Sequence, residues 1–232
     1  MAIVFKKVVD GKKNLEIDSN IIIGIMGQNF EKFVRLLSGK DIFLIKKENR
    51  FTKKTVHDEM LSYYNVEYSK YNFDDLVKIV FDELKIEDDF SSKNIDELSD
   101  SERIILKYIL SFISNKKIIV IDEPFLDLDY TWKKRISSLL NSIIHNTKKT
   151  IIICSNDSNI IYSLCQKVLF INDEKCFYDN TLDAFKDNSL LKKYHIDEPD
   201  IIKFINLAHK KNVDLRYSKD IRDLIKDVYK SV

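Results

Sequence analysis

Glycine and proline are scarce: four and two in 232 residues. That excludes a collagen-like or Gly/Pro-rich linker protein, and makes each remaining glycine informative about local backbone need. Three cysteines, Cys154, Cys165 and Cys176, are odd in number and lack CxxC spacing. They argue against a disulfide framework and are expected to be small core hydrophobes in a reducing compartment. His57, His145, His195 and His209 are scattered, so no His/Cys metal set is indicated. No apolar run approaches the ~20 residues of a membrane span, and the start, MAIVFKKVVDG, carries no signal-peptide pattern. Lys+Arg 38 against Asp+Glu 37 gives a net charge of +1, which argues for neither nucleic acid nor an anionic membrane as partner. The length suits one large α/β domain with a small annex.

What is present is concentrated between Leu98 and Asp129. Ile118-Ile119-Val120-Ile121 reads as a buried strand, and it ends in two adjacent carboxylates, Asp122 and Glu123, before Pro124. Such a strand carries an aspartate to the mouth of a parallel sheet, where it can hold Mg²⁺, and the next glutamate can face an attacking water. Ahead of it, Ile104, Ile105, Tyr108, Ile109 and Phe112 fall on one helix face, and Trp132, Ile136, Leu139, Leu140 and Ile143 do so after it. Three of the four glycines, Gly24, Gly27 and Gly39, fall on another template. Ile21-Ile22-Ile23 reads as a strand, Gly24-Ile25-Met26-Gly27 as a tight turn and Phe33 to Leu37 as a helix. Strand, glycine turn and helix together make a phosphate-binding arrangement of backbone N–H groups. Further on, Val168–Ile171 and Lys175–Tyr178 read as a hairpin, and the chain from Leu190 onward as helical.

The order and spacing of these motifs resemble the ABC ATPase family, and most nearly the cassette subunit of energy-coupling-factor (ECF) importers. The Leu-Ser pair begins 24 residues (122 − 98) before the aspartate, as in those proteins. The resemblance implies an α/β P-loop NTPase fold with an ABC-type mixed sheet, a helical subdomain and a C-terminal helical extension. It places an ABC ATPase-like domain at 1–187, the helical signature subdomain at about 57–114 and the extension at 188–232. By the same resemblance, Gly24, Gly27, Gln28, Asn29, Phe30, Glu31 and Lys32 stand on the Walker A loop. Asp122 would hold Mg²⁺, Glu123 would be the catalytic carboxylate, and Asp129 would close the D-loop. Ser99 and Ser101 belong to the signature, and Asn156 takes the switch-histidine position.

Several positions depart from the pattern. Asn29 replaces the third Walker A glycine, Phe30 the lysine, Glu31 the serine and Lys32 the threonine. The lost lysine would contact the β- and γ-phosphates, and the lost hydroxyl would ligate Mg²⁺. At ~5 Å and an effective dielectric of about 20, the Glu31 charge costs about 3 kcal/mol against each phosphate charge. Its carboxylate is therefore expected to occupy part of the anion slot, which Glu31→Ser tests through ATP affinity. The Q-loop glutamine becomes Ile45, the signature becomes Leu98-Ser99-Asp100-Ser101-Glu102, and no aromatic stands between Val9 and Ile21 to stack on adenine.

The expectation is an ECF-type importer subunit, for a vitamin or a metal ion, with weak or absent turnover. It would use ATP and Mg²⁺ if active. Its partners would be a second ABC cassette, in a hetero- or homodimer, and an ECF-type transmembrane subunit, with no nucleic acid. It would lie peripherally on the cytoplasmic face of the membrane. The alternative is a nucleotide-free pseudo-ATPase scaffold. A chromosome-structure ATPase head fits poorly, because only 74 residues (98 − 24) separate Gly24 from Leu98. Tyr63, Tyr64, Tyr68 and Tyr71 lie where the family's subdomain grips its membrane partner, and filling the subdomain's own core accounts for them equally well.

Overall fold

The computed structural model describes residues 3–9, 13–28, 41–46, 50–66, 71–125, 127–172 and 175–231. Strands β1 (Ile3–Val9) and β2 (Lys13–Ile17) form an antiparallel ribbon, with Ile3 opposite Ile17 and Val9 opposite Lys13. Six further strands follow: β3 (Ile22–Gly27), β4 (Ile42–Ile45), β5 (Ile118–Asp122), β6 (Thr150–Cys154), β7 (Lys167–Ile171) and β8 (Cys176–Asn180). Their order in one mixed sheet is β4-β5-β6-β3-β7-β8. β4 runs parallel to β5 and β3 to β7, while β8 returns antiparallel along β7. The near-continuous apolar runs of β3 and β7 are what parallel strands need when both faces are covered, and β6 is as fully buried.

The chain divides into two compact units, Met1–Leu36 with Ile152–Val232, and Leu37–Ile151. In the second, α1 (Val56–Tyr63), α2 (Phe73–Leu84), α3 (Asp100–Ile113) and α4 (Tyr130–Thr147) stand with β4 and β5. Each helix starts at a side-chain cap: Thr55 accepts from Asp58 N–H, Asn72 from Asp75 N–H, Ser99 from Glu102 N–H and Asp129 from Trp132 N–H. Their apolar stripes make the core, with Leu76, Val80, Phe81 and Leu84 from α2 and Ile136, Leu139, Leu140 and Ile143 from α4. Tyr63 is half-buried against Phe43, Tyr64 packs on Phe73, Tyr71 is exposed, and Tyr68 lies outside the described residues.

In the first unit, α5 (Ser158–Leu164), α6 (Thr181–Lys186), α7 (Asn188–Tyr194), α8 (Asp200–Lys210) and α9 (Ile221–Ser231) accompany β3, β7 and β8. Phe170 on β7 is the aromatic hub, touching Phe177, Phe185 and Tyr194. Ile205, Leu215 and Leu224 form a separate small core between α8 and α9. Cys154 and Cys165 are buried as expected, but Cys176 is exposed because it opens the edge strand β8.

One local expectation fails. Gly24-Ile25-Met26-Gly27 is not a turn; all four residues belong to β3. Ile25 and Met26 are buried and pair with Leu169 and Phe170, and that non-local pairing outweighs the turn preference of glycine.

Candidate functional site

The end of β3 is fixed by a glycine that nothing else can replace. Gly27 has φ +117°, and a Cβ there would lie 2.1 Å from the carbonyl oxygen of Ile171. Its N–H donates to Asn156 Oδ1 at 3.0 Å, and the next N–H, of Gln28, donates to Ile171 O at 3.0 Å. Asn156, expected at the switch position, is thus tied to the strand end. Gly24 serves packing: a Cβ would meet Ile161 Cγ2 at 2.5 Å and Cys165 Sγ at 3.1 Å. Asn29, Phe30, Glu31 and Lys32 lie outside the described residues.

Strand β5 delivers Asp122, half-buried, and Glu123, exposed, to its C-terminal end. The chain then takes an unusual path. Glu123, Phe125 and Asp127 all have positive φ (52°, 68° and 60°), each costing a non-glycine residue about 1–2 kcal/mol. Tyr108 supports this loop from α3: its fully buried hydroxyl takes a hydrogen bond from the Phe125 backbone, and burial pushes its pKa well up. Asp129, expected to close the D-loop, caps α4, accepting from Trp132 N–H at 2.9 Å.

A cavity of about 30 Å³ sits at the mouth of β5, with Ile45, Lys46, Lys107, Tyr108, Asp122 and Glu123 in its wall. Ile45 is buried there and offers no ligand in the place of the Q-loop glutamine. Lys107 is only 3% exposed and donates from Nζ to Lys46 O at 2.7 Å. The donor set fits a divalent cation poorly. Two carboxylates share the cavity wall with the buried Lys107, the hydroxyl and amide ligands expected from the resemblance are replaced, and among the described residues no group of three His/Cys/Asp/Glu could hold a metal ion. Sequence reading missed Lys107. The signal was a lone cation inside Ile105–Ile113, a stretch that is buried throughout.

The signature segment is closed on itself. Ser99 N–H and Ser99 Oγ both donate to Glu102 Oε2, at 2.9 and 2.8 Å, and Glu102 N–H donates back to Ser99 Oγ at 3.3 Å. This is a capping box. Lys93 Nζ holds the other carboxylate oxygen at 2.8 Å, and Ser101 Oγ lies 3.4 Å from Ser99 Oγ. The Lys93 bond first, then the Ser99 N–H, pull the Glu102 carboxyl down to about 2. A carboxylate of the chain itself therefore lies on the N–H and hydroxyl of Ser99 at the start of α3, and Asp100 is exposed. The structure brings Ser99, Ser101 and Glu102 together, as it does Asp122 with Glu123 and Gly27 with Asn156.

No family model matches the chain. A protein of Mycoplasma genitalium described as an ABC transporter ATP-binding protein is 27% identical over 133 residues, 57% of this chain and 37% of that protein. The energy-coupling factor transporter ATP-binding protein EcfA2 of Staphylococcus aureus is 28% identical over 115 residues, 49% of this chain and 40% of the relative. The chain thus matches less than half the length of either. Among solved structures, CbiO1 from Clostridium perfringens, part of the ABC transporter complex CbiONQ, superposes with a TM-score of 0.62 at 17% identity, covering 86% of this chain and 92% of that one. An ATP-binding cassette in a dimeric post-hydrolysis state with ADP and Pi gives 0.56 at 13% identity, over 78% and 96%.

Proposed function

We propose, on the premise that the homologues of this chain are ABC transporter ATP-binding proteins and its fold is that of their cassettes, that it is a cassette subunit which does not hydrolyse ATP. The importer type is taken as ECF, for a vitamin or metal ion, with EcfA2 among the relatives in support. A second cassette completes the pair, a transmembrane subunit anchors it, and the site of work is the cytoplasmic face of the membrane. Among the described residues, no helix is long and apolar enough to cross a bilayer.

The observation that carries this reading is the Ser99–Glu102 capping box with Lys93 bonded to it. In a composite cassette site the signature serine and helix N-terminus would receive the partner's γ-phosphate. Here the hydroxyl and N–H of Ser99 are engaged by Glu102, so an incoming phosphate would meet a carboxylate beside that serine. The replaced Walker A lysine and serine weaken the other half-site in the same direction. Gly27, Asn156, Ser99, Ser101 and Asp129 keep structural work in this account, and Asp122 and Glu123 become relics of the catalytic pair.

Calorimetric titration of the purified chain with ATP–Mg²⁺ tests the proposal. The expected result is affinity weaker than about 1 mM, unchanged by Asp122→Ala. Magnesium-dependent binding below that value, abolished by Asp122→Ala, would contradict it. A pure scaffold is a second reading, favoured by the apolar faces of α8 and α9, where Phe204, Leu207, Ile221, Ile225 and Tyr229 are exposed. It parts from the first if the chain forms complexes without any second cassette.

A further inference from the structure

We infer that the cavity at the N-terminal ends of β5 and β6 is a binding site for a compact polyphosphate anion of the pyrophosphate type, gripped by Lys117 and Lys148. Two lysine pairs meet there. Lys116-Lys117 leads into β5 and Lys148-Lys149 into β6, and these strands are neighbours in the sheet. Thr150 N–H donates to Lys117 O at 2.9 Å, so the two strand entries lie side by side, about 4.8 Å apart. All four lysines line one cavity of about 270 Å³, and among the described residues no carboxylate lines it. The five residues of β5, at about 3.3 Å each, put it roughly 16 Å from Asp122.

The lysines exceed what the fold itself needs. α3 and α4 both end in the cavity wall, at Ile113 and Thr147, and a helix C-terminus carries about half a negative charge. Lys149 serves the first of these ends. It is 7% exposed and donates to the carbonyls of Ser111, Phe112 and Ser114. Burial pushes its pKa down to about 7, and an anion alongside would favour its charged form. The end of α4 remains. Against it stand Lys117 and Lys148, both exposed and neither in an ion pair among the described residues. These two alone exceed the helix charge by about 1.5 elementary charges, which calls for a ligand with two or more negative charges. Lysine ammonium groups suit phosphate oxygens as compact point charges, and Asn115 adds an exposed amide to the wall. The volume lies below the roughly 300–1,000 Å³ of pockets for drug-sized ligands, so it favours a compact anion over a whole nucleotide. The inference concerns the isolated chain and does not depend on the transport role.

Calorimetric titration of the full chain with pyrophosphate, in magnesium-free buffer at about 0.15 M salt, tests it. The expected Kd is below about 1 mM, with inorganic phosphate at least about tenfold weaker. Lys117→Gln combined with Lys148→Gln should weaken pyrophosphate at least about tenfold. Lys133→Gln combined with Lys134→Gln alters exposed lysines of α4 outside the cavity, and should leave the affinity within about twofold. Lys32→Gln, on the expected Walker A loop, should do the same. Thermal unfolding gives a second readout: pyrophosphate should raise the midpoint of the parent and not that of the Lys117→Gln, Lys148→Gln variant. Affinity weaker than about 1 mM would overturn the inference. So would a loss at either control that matches the loss at the cavity. Equal binding of ADP, or of an acidic hexapeptide, would also overturn it, by assigning the cavity to a nucleotide or to a partner chain.

Discussion

Glu102 illustrates how a single residue sets what a site can do. Its carboxylate bridges the Ser99 hydroxyl and N–H on one side and Lys93 on the other, so the polar groups of Ser99 at the start of α3 are bonded within the chain. Glu102→Gln should cost about 1 kcal/mol at pH 7, the usual worth of such a cap. The folded-state carboxyl lies at about 2, below its ordinary 4.5. Its stabilisation is therefore fully present above pH 4.5 and is lost as pH falls from 4.5 through about 2. Denaturant titrations of the two proteins at pH 7, 4 and 3 should show the gap closing. Gly27 is a second decisive residue. Gly27→Ala forces a Cβ to within 2.1 Å of Ile171 O at φ +117°, so a loss on the order of 3 kcal/mol is expected in thermal or denaturant unfolding.

At the scale of the element, scarcity of glycine explains an unusual set of helix ends. Lys85 ends α2, Lys148 ends α4 and His195 ends α7, all in the left-handed conformation that glycine adopts at least cost. At Lys85 the cap is complete, with Ile86 N–H donating to Phe81 O at 3.0 Å. Lys85→Gly should stabilise the protein by about 0.5–1 kcal/mol, read as a raised unfolding midpoint. The end of α3 is held differently. Lys149 Nζ donates to the carbonyls of Ser111, Phe112 and Ser114 at 2.5–2.9 Å. Burial pushes this amine down to about 7, against three acceptors that favour its charged form. Fully buried Glu59 on α1 accepts the N–H groups of Thr52 and Lys53 through Oε2. Glu59→Ala orphans both donors, and a cost of about 2–4 kcal/mol in denaturant titration is expected.

These elements also show what the sequence could reveal. The apolar run Ile118–Ile121 ended by two acids identified β5, because both signals are local and adjacent. Order and spacing of the motifs, more than any one of them, identified the α/β cassette fold. Position 99 to 102 carried two superimposed meanings. Its S-x-x-E pattern is a capping box as well as an altered signature, and only the geometry shows the carboxylate closed onto the serine. Gly24 misled because its reason is non-local: it makes room for Ile161 on α5 and for Cys165 just after it. Lys107 was missed for the same cause, since its partner, the carbonyl of Lys46, lies 61 residues away.

For the whole molecule, the C-terminal helices carry the surface through which the proposed partner cassette would be held. Asp200, Ile201, Phe204, Ile221, Ile225 and Tyr229 line a groove of about 480 Å³ beside the small α8–α9 core. Phe204→Asp with Ile225→Asp should leave the unfolding midpoint nearly unchanged, because both side chains are about half exposed. Sedimentation of the purified pair should show association lost in that variant and kept in the parent.

The most direct test of the central claim is ATP turnover by the assembled pair, with an intact partner cassette and its membrane subunit. Glu123→Gln in this chain is compared with the equivalent change in the partner. The account predicts that Glu123→Gln here leaves the rate within about twofold of the parent, while the partner's change abolishes it. A rate that collapses on Glu123→Gln in this chain would mean that its carboxylate is catalytic, and the claim would be wrong.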